Sequence, residues 1–128
     1  MPAWKDYKAE AKERGALAFE VYVAVSTPAK PPEAVKAVLP DHLAYIGELE
    51  ARGVVMFAGP MSDESGQEMQ GVGMLILRAD SLDEARALAE GDPMHKSGAR
   101  SFTLRRWLIN EGSVTITTRL SGQTVALG

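Results

Sequence analysis

Apolar and polar positions alternate with a period of two from Leu17 to Val25. Leu17, Phe19, Val21, Val23 and Val25 fall on one side, and Ala18, Glu20, Tyr22 and Ala24 on the other. That period, with its β-branched residues, predicts a strand. Thr27 to Pro32 holds three prolines and predicts a loop. Glu33 to Arg52 turns to helical spacing, with Leu43, Ile46 and Leu49 in phase. An interruption is expected near Pro40, and a stop at Gly53. Val54 to Gly59 and Gly71 to Arg78 are short runs apolar on both faces, so two more strands are expected, joined by a polar loop from Met61 to Gln70. Ser81 opens a second helix as its cap, and Glu84 three residues on completes a capping box. Leu82, Ala85, Leu88 and Ala89 form its stripe, and Gly91-Asp92-Pro93 ends it. Arg100 to Ile109 reads as a fourth strand, with Phe102, Leu104 and Leu108 opposite Thr103, Arg105 and Trp107. Outside this series, residues 3–14 predict a short helix stopped at Gly15. Val114 to Thr118 and Thr124 to Leu127 predict two strands around a turn at Ser121-Gly122.

The order strand–helix–strand occurs twice. It predicts an α+β fold, a ferredoxin-like four-stranded antiparallel sheet with two helices. The expected parts are an N-terminal helical extension at 1–16, the main domain at 17–110 and a C-terminal β tail at 111–128. Two helices cover only one face of such a sheet. The second and third strands are apolar on both faces, so the uncovered face needs an apolar partner. A second copy, sheet against sheet, is the simplest one, and a dimeric α+β barrel is the expectation.

Composition narrows the function. A chain of 128 residues makes one domain. Fourteen basic residues against 17 acidic ones leave −3, which argues against a groove for nucleic acid. There is no cysteine, so disulfides, thiolate nucleophiles and Cys-type zinc sites are excluded. Charges recur through Arg14, which argues against a signal peptide. No apolar run is long enough to span a bilayer. A cytoplasmic protein without a membrane partner is the default.

Few residues carry candidate chemistry. His42 lies four residues before Ile46, beside the apolar stripe and near the expected helix start. An imidazole there serves as a general acid or base, or as a buried histidine bonded to a carbonyl, the commoner outcome. Asp92 stands before Pro93, where an aspartate commonly caps or turns; the pre-proline backbone can also aim it over the sheet towards a histidine. His95 reads as a polar loop residue or a second acid–base group. Arg100, Arg105 and Arg106 bind an anionic substrate or are solvated edge charges. His42 and His95 lack metal-ligand spacing, so no metal is expected. Gly71-Val72-Gly73 opens a strand and is no dinucleotide fingerprint. Ser62, Ser65 and Ser97 lack a nucleophile-elbow context.

Together, His42-Leu43-Ala44-Tyr45-Ile46-Gly47-Glu48-Leu49, then Val54 to Pro60 with its Ala58-Gly59-Pro60 end, then Ser81 to Arg86 followed by Asp92-Pro93, resemble the YCII-like (YciI-related) family. The resemblance covers roughly residues 17–109. It implies a dimeric ferredoxin-like barrel with a pocket where His42 and Asp92 form a catalytic pair. It also implies lyase-type chemistry, proton abstraction and elimination on a small cyclic substrate, without a cofactor. Gly59 and Pro60 are then expected in the pocket wall, and Pro93 and His95 beside the substrate. The rival expectation is a non-enzymatic dimeric module that binds a small ligand or a protein.

Overall fold

Ten elements follow one another along residues 1–128 of the computed structural model. They are α1 (Trp4–Glu13), β1 (Phe19–Pro28), α2 (Pro32–Ala51), β2 (Val55–Pro60), β3 (Gly73–Leu77), α3 (Leu82–Glu90), α4 (Pro93–Lys96), β4 (Arg100–Ile109), β5 (Ile116–Arg119) and β6 (Thr124–Leu127). They form two units, one of Glu20–Trp107 and one of Met1–Phe19 with Leu108–Gly128.

The larger unit holds a four-stranded antiparallel sheet in the order β2-β3-β1-β4, the α+β arrangement expected from the repeat. Tyr22 pairs with Leu77, Ala24 with Leu75 and Ser26 with Gly73. Side chains alternate across a strand, so these residues share one face. On it Tyr22 and Leu77 pack with Ala85 of α3, joined by Leu75, Leu82, Leu88 and Leu104. Val23, Val25, Ile76 and Met74 take the opposite face. A register shift at Met56 turns Phe57 onto that face, opposite Ile76. Met74, Phe57 and Trp107 are exposed.

Several expectations need correction. α2 runs without a break through Pro40. Proline removes one helical hydrogen bond, at a cost of about 3 kcal/mol. The turns on either side and the burial of Leu49 hold the helix across it. The start also moves back, because Pro32 suits the first helical turn, where no N–H is needed. β1 begins at Phe19, since Ala18 has left-handed backbone (φ 51°). It continues through Thr27 and Pro28, which were expected in the loop. Thr27 Oγ1 lies 3.3 Å from Ser101 Oγ of β4, and the amides of Ala29 and Lys30 donate to Ala99 O. The capping box is only half formed. Ser81 Oγ accepts from Glu84 N at 3.0 Å, but the Glu84 carboxylate returns to Asp80 N at 3.3 Å. The chain after Gly91 does not go straight to a strand; it makes the single turn α4.

In the smaller unit Ala11 of α1 is fully buried with Ala18 and Leu108, beside Tyr7 and Ala16. Leu17 N donates to Asn110 O at 3.0 Å. β5 and β6 pair as a hairpin from Ile116↔Leu127 to Arg119↔Thr124. No helix in either unit is long and apolar enough to cross a membrane.

Candidate functional site

His42 stands in the middle of α2, not near its start as expected. The positive field of a helix N-terminus, confined to the first turn, therefore does not act on it. Its Nδ1 lies 2.8 Å from Asp92 Oδ2 and 2.9 Å from Oδ1. A carboxylate accepts hydrogen bonds, so Nδ1 carries the hydrogen and Nε2 presents its lone pair. The carboxylate side is 3% exposed and the imidazole 27%. Nε2 meets no protein partner. The arrangement can take a proton at Nε2 and stabilise the resulting cation through Asp92.

Asp92 performs both jobs that the sequence left open. Its backbone is extended (φ −63°, ψ 127°), as the following proline requires. Oδ1 accepts from Met94 N at 2.9 Å and caps α4, while both oxygens face His42. Pro93 sits at the first turn of α4. Behind the pair, Tyr45 donates from its hydroxyl to Leu88 O at 2.7 Å. A Cβ on Gly91 would come within 2.6 Å of that hydroxyl, so glycine here allows close approach. Burial pushes the Tyr45 phenol above its ordinary pKa; the negative charge of Asp92 adds to this, and Arg52 opposes it.

His95 is not a loop residue. It lies on α4, with Nδ1 2.7 Å from Ala89 O and Nε2 2.8 Å from Ser26 Oγ. A carbonyl only accepts, so Nδ1 donates and Nε2 accepts the Ser26 hydroxyl. Its ring rests on Phe102 at 4.6 Å. Neither nitrogen is spare. Arg100 joins the same group by donating to Ser26 Oγ from Nε at 2.9 Å. Sequence reasoning missed Ser26. Its only signal was a hydroxyl in phase with Tyr22 and Ala24 on the helix-covered face.

Gly59 and Pro60 lie on β2, paired with Met74 and Gly73. Pro60 lines an open hollow of about 260 Å³ with the loop from Met61 to Met69, and this hollow includes neither His42 nor Asp92. Arg105 and Arg106 are exposed, and Arg106 Nε reaches Glu20 only at 3.9 Å. No group of three or more His, Asp or Glu side chains is placed to hold a metal ion.

Residues 6–108 match the profile of the YCII-related domain. The uncharacterized protein YjpA of Bacillus subtilis (strain 168) is 30% identical over 70 residues, which are 55% of this chain and 75% of YjpA. A solved structure is also similar, that of 5-chloro-2-hydroxyhydroquinone dehydrochlorinase (TftG) from Burkholderia phenoliruptrix, in complex with 2,5-dihydroxybenzoquinone. Its identity is 23%, with 67% of this chain and 92% of that chain covered and a TM-score of 0.48. By the span of the profile match and the share of YjpA covered, the chain belongs to the YCII-related domain family.

Proposed function

We propose that this chain is a cofactor-independent enzyme of lyase or isomerase type, acting on a small ring compound through His42 and Asp92. The observation that carries the reading is the asymmetric imidazole, bonded to a buried carboxylate at Nδ1 and open at Nε2. Nε2 takes a proton from a carbon made acidic by a neighbouring carbonyl. The C–H electron pair moves into the ring as an enolate. Asp92 holds the imidazolium and its orientation. Return of the proton to another ring atom is an isomerisation. Departure of a leaving group with its electron pair is an elimination. General acid–base catalysis of this kind contributes roughly 100- to 10,000-fold.

The working unit is a homodimer through the open sheet faces, with 17–110 as the domain and 1–16 and 111–128 as its extensions. Val23, Val25, Phe57, Met74 and Trp107 support this, since an apolar sheet face of that kind needs a cover. Light scattering should then report twice 13.8 kDa at low micromolar concentration; a monomer rejects the dimer.

The enzymatic reading is tested by solvent deuterium exchange, followed by NMR, into small enolisable ring ketones and halogenated hydroquinones. The wild type catalyses exchange or halide release, and His42→Gln, with an unchanged circular dichroism spectrum, does not. Equal rates in both proteins reject the assignment of His42. Binding without exchange marks a ligand-binding module instead.

A further inference from the structure

Arg100 is half-buried at the start of β4. A guanidinium has five N–H donors. Nε donates to Ser26 Oγ at 2.9 Å, and Nη2 donates to the carbonyls of Ser26, at 2.8 Å, and Gly71. That uses three donors. The two on Nη1 meet no acceptor. No carboxylate lies at ion-pair distance from the group. Asp92 is near enough for its charge to be felt, but both its oxygens face His42 and one also caps α4. The positive charge is thus partly withdrawn from water and bonded only to neutral oxygens, its nearest counter-charge already committed to His42, an arrangement that an arriving anion would stabilise.

The group is also held in place. Three bonds to two separate backbone segments and one hydroxyl orient the guanidinium plane. Ser26 is itself committed, because it gives its hydrogen to His95 Nε2 and its lone pair to Arg100. Gly71 offers its carbonyl from a left-handed backbone (φ +83°), where a Cβ would meet Pro28 Cγ at 2.9 Å. A side chain at this position would disturb that carbonyl. Arg105 and Arg106, by contrast, are exposed, with no comparable clamp.

We propose that the Nη1 edge of Arg100 receives an anionic oxygen group, a carboxylate or an acidic enol or phenol, on the ligand of the His42–Asp92 site. The inference rests on the reading above in that α4 joins the two groups: Asp92 at its cap bonds His42, and His95 on it shares Ser26 Oγ with Arg100. The substrate class is then a small ring compound with an ionised oxygen. Guanidinium suits such a group, since its paired donors match two oxygens or one shared oxygen.

Benzoate and its neutral isostere benzamide are titrated into the full chain by calorimetry. Nitrogen-15 spectra follow the Arg100 side chain during the titration. Benzoate should bind at least about tenfold more tightly than benzamide, because a hydrogen bond to a charged group is worth that much or more. Arg100→Met should remove this preference and leave benzamide unaffected. If that variant fails to fold, the wild-type spectra still decide, because benzoate should shift the Arg100 guanidinium signals and benzamide should not. Equal affinities, silent Arg100 signals, or no benzoate binding overturn the proposal. Binding is read without turnover, so the two readings fail separately. Benzoate held at Arg100 without exchange chemistry rejects the enzyme and keeps the anion site; exchange with no preference for benzoate does the reverse.

Discussion

His42 gives one ring nitrogen to Asp92 and keeps the other without a protein partner, whereas His95 gives one to Ala89 O and the other to Ser26 Oγ. The residue type is the same and both rings are half-buried. A ring bonded at both ends is a crosslink: it ties α4 to the end of α3 and to β1. A ring bonded at one end, by a buried anion, is oriented and still able to react. Counting donors and acceptors around each imidazole separates the two roles; burial alone does not.

The largest expected effect lies in activity. His42→Gln should lower kcat/KM for exchange or elimination by roughly 100- to 10,000-fold, and His95→Gln by less than about tenfold. Both are read in the deuterium-exchange assay, and reversed sensitivities would give His95 the chemistry. Next comes stability. His95→Ala removes the acceptor of the Ser26 hydroxyl hydrogen and one of the donors to Ala89 O, two hydrogen bonds in all, and should cost about 1–3 kcal/mol in urea unfolding. An unchanged midpoint would deny the crosslink. A smaller effect belongs to Gly91→Ala. The added Cβ forces the Tyr45 hydroxyl off Leu88 O, a loss of about 1 kcal/mol. In a Tyr45→Phe background that cost should shrink, and a double-mutant cycle reads the coupling. The smallest effect is alkaline. Burial raises the pKa of Tyr22 and Tyr45, so the folded state keeps protons that the unfolded chain loses. Stability is therefore intact below about pH 10, where a free tyrosine ionises, and falls as pH rises further. Tyr45→Phe should flatten that decline. A rise in stability above this pH would reverse the assigned sign.

The fold was legible where a period ran long enough. Tyr22 and Ala24 alternate against Val21 and Val23, and Leu82, Ala85, Leu88 and Ala89 mark a stripe; the sheet and α3 follow from them. The His42–Asp92 pair was legible through its family motif, because neither residue alone announces the other across fifty positions. The surroundings of His42 were not legible for a local reason, since a proline ordinarily interrupts a helix and α2 runs through Pro40. α4 was illegible because four residues contain no period. Ser26 was illegible for the opposite reason. Its place on a strand was plain, but its partners His95 and Arg100 lie 69 and 74 residues further on. No local pattern encodes such a meeting.

α4 leaves almost no slack. Asp92 caps it and faces His42, Pro93 opens it, Met94 is 2% exposed, and His95 is tied at both nitrogens. Each successive residue points about 100° from the last, since an α-helix makes a turn in roughly 3.6 residues. Deleting a single residue between Gly91 and Lys96 would therefore rotate every later side chain into its neighbour's post. Insertions and deletions should be tolerated in the loop from Met61 to Gln70 and rejected here, although both segments look like plain connectors when the chain is read as text.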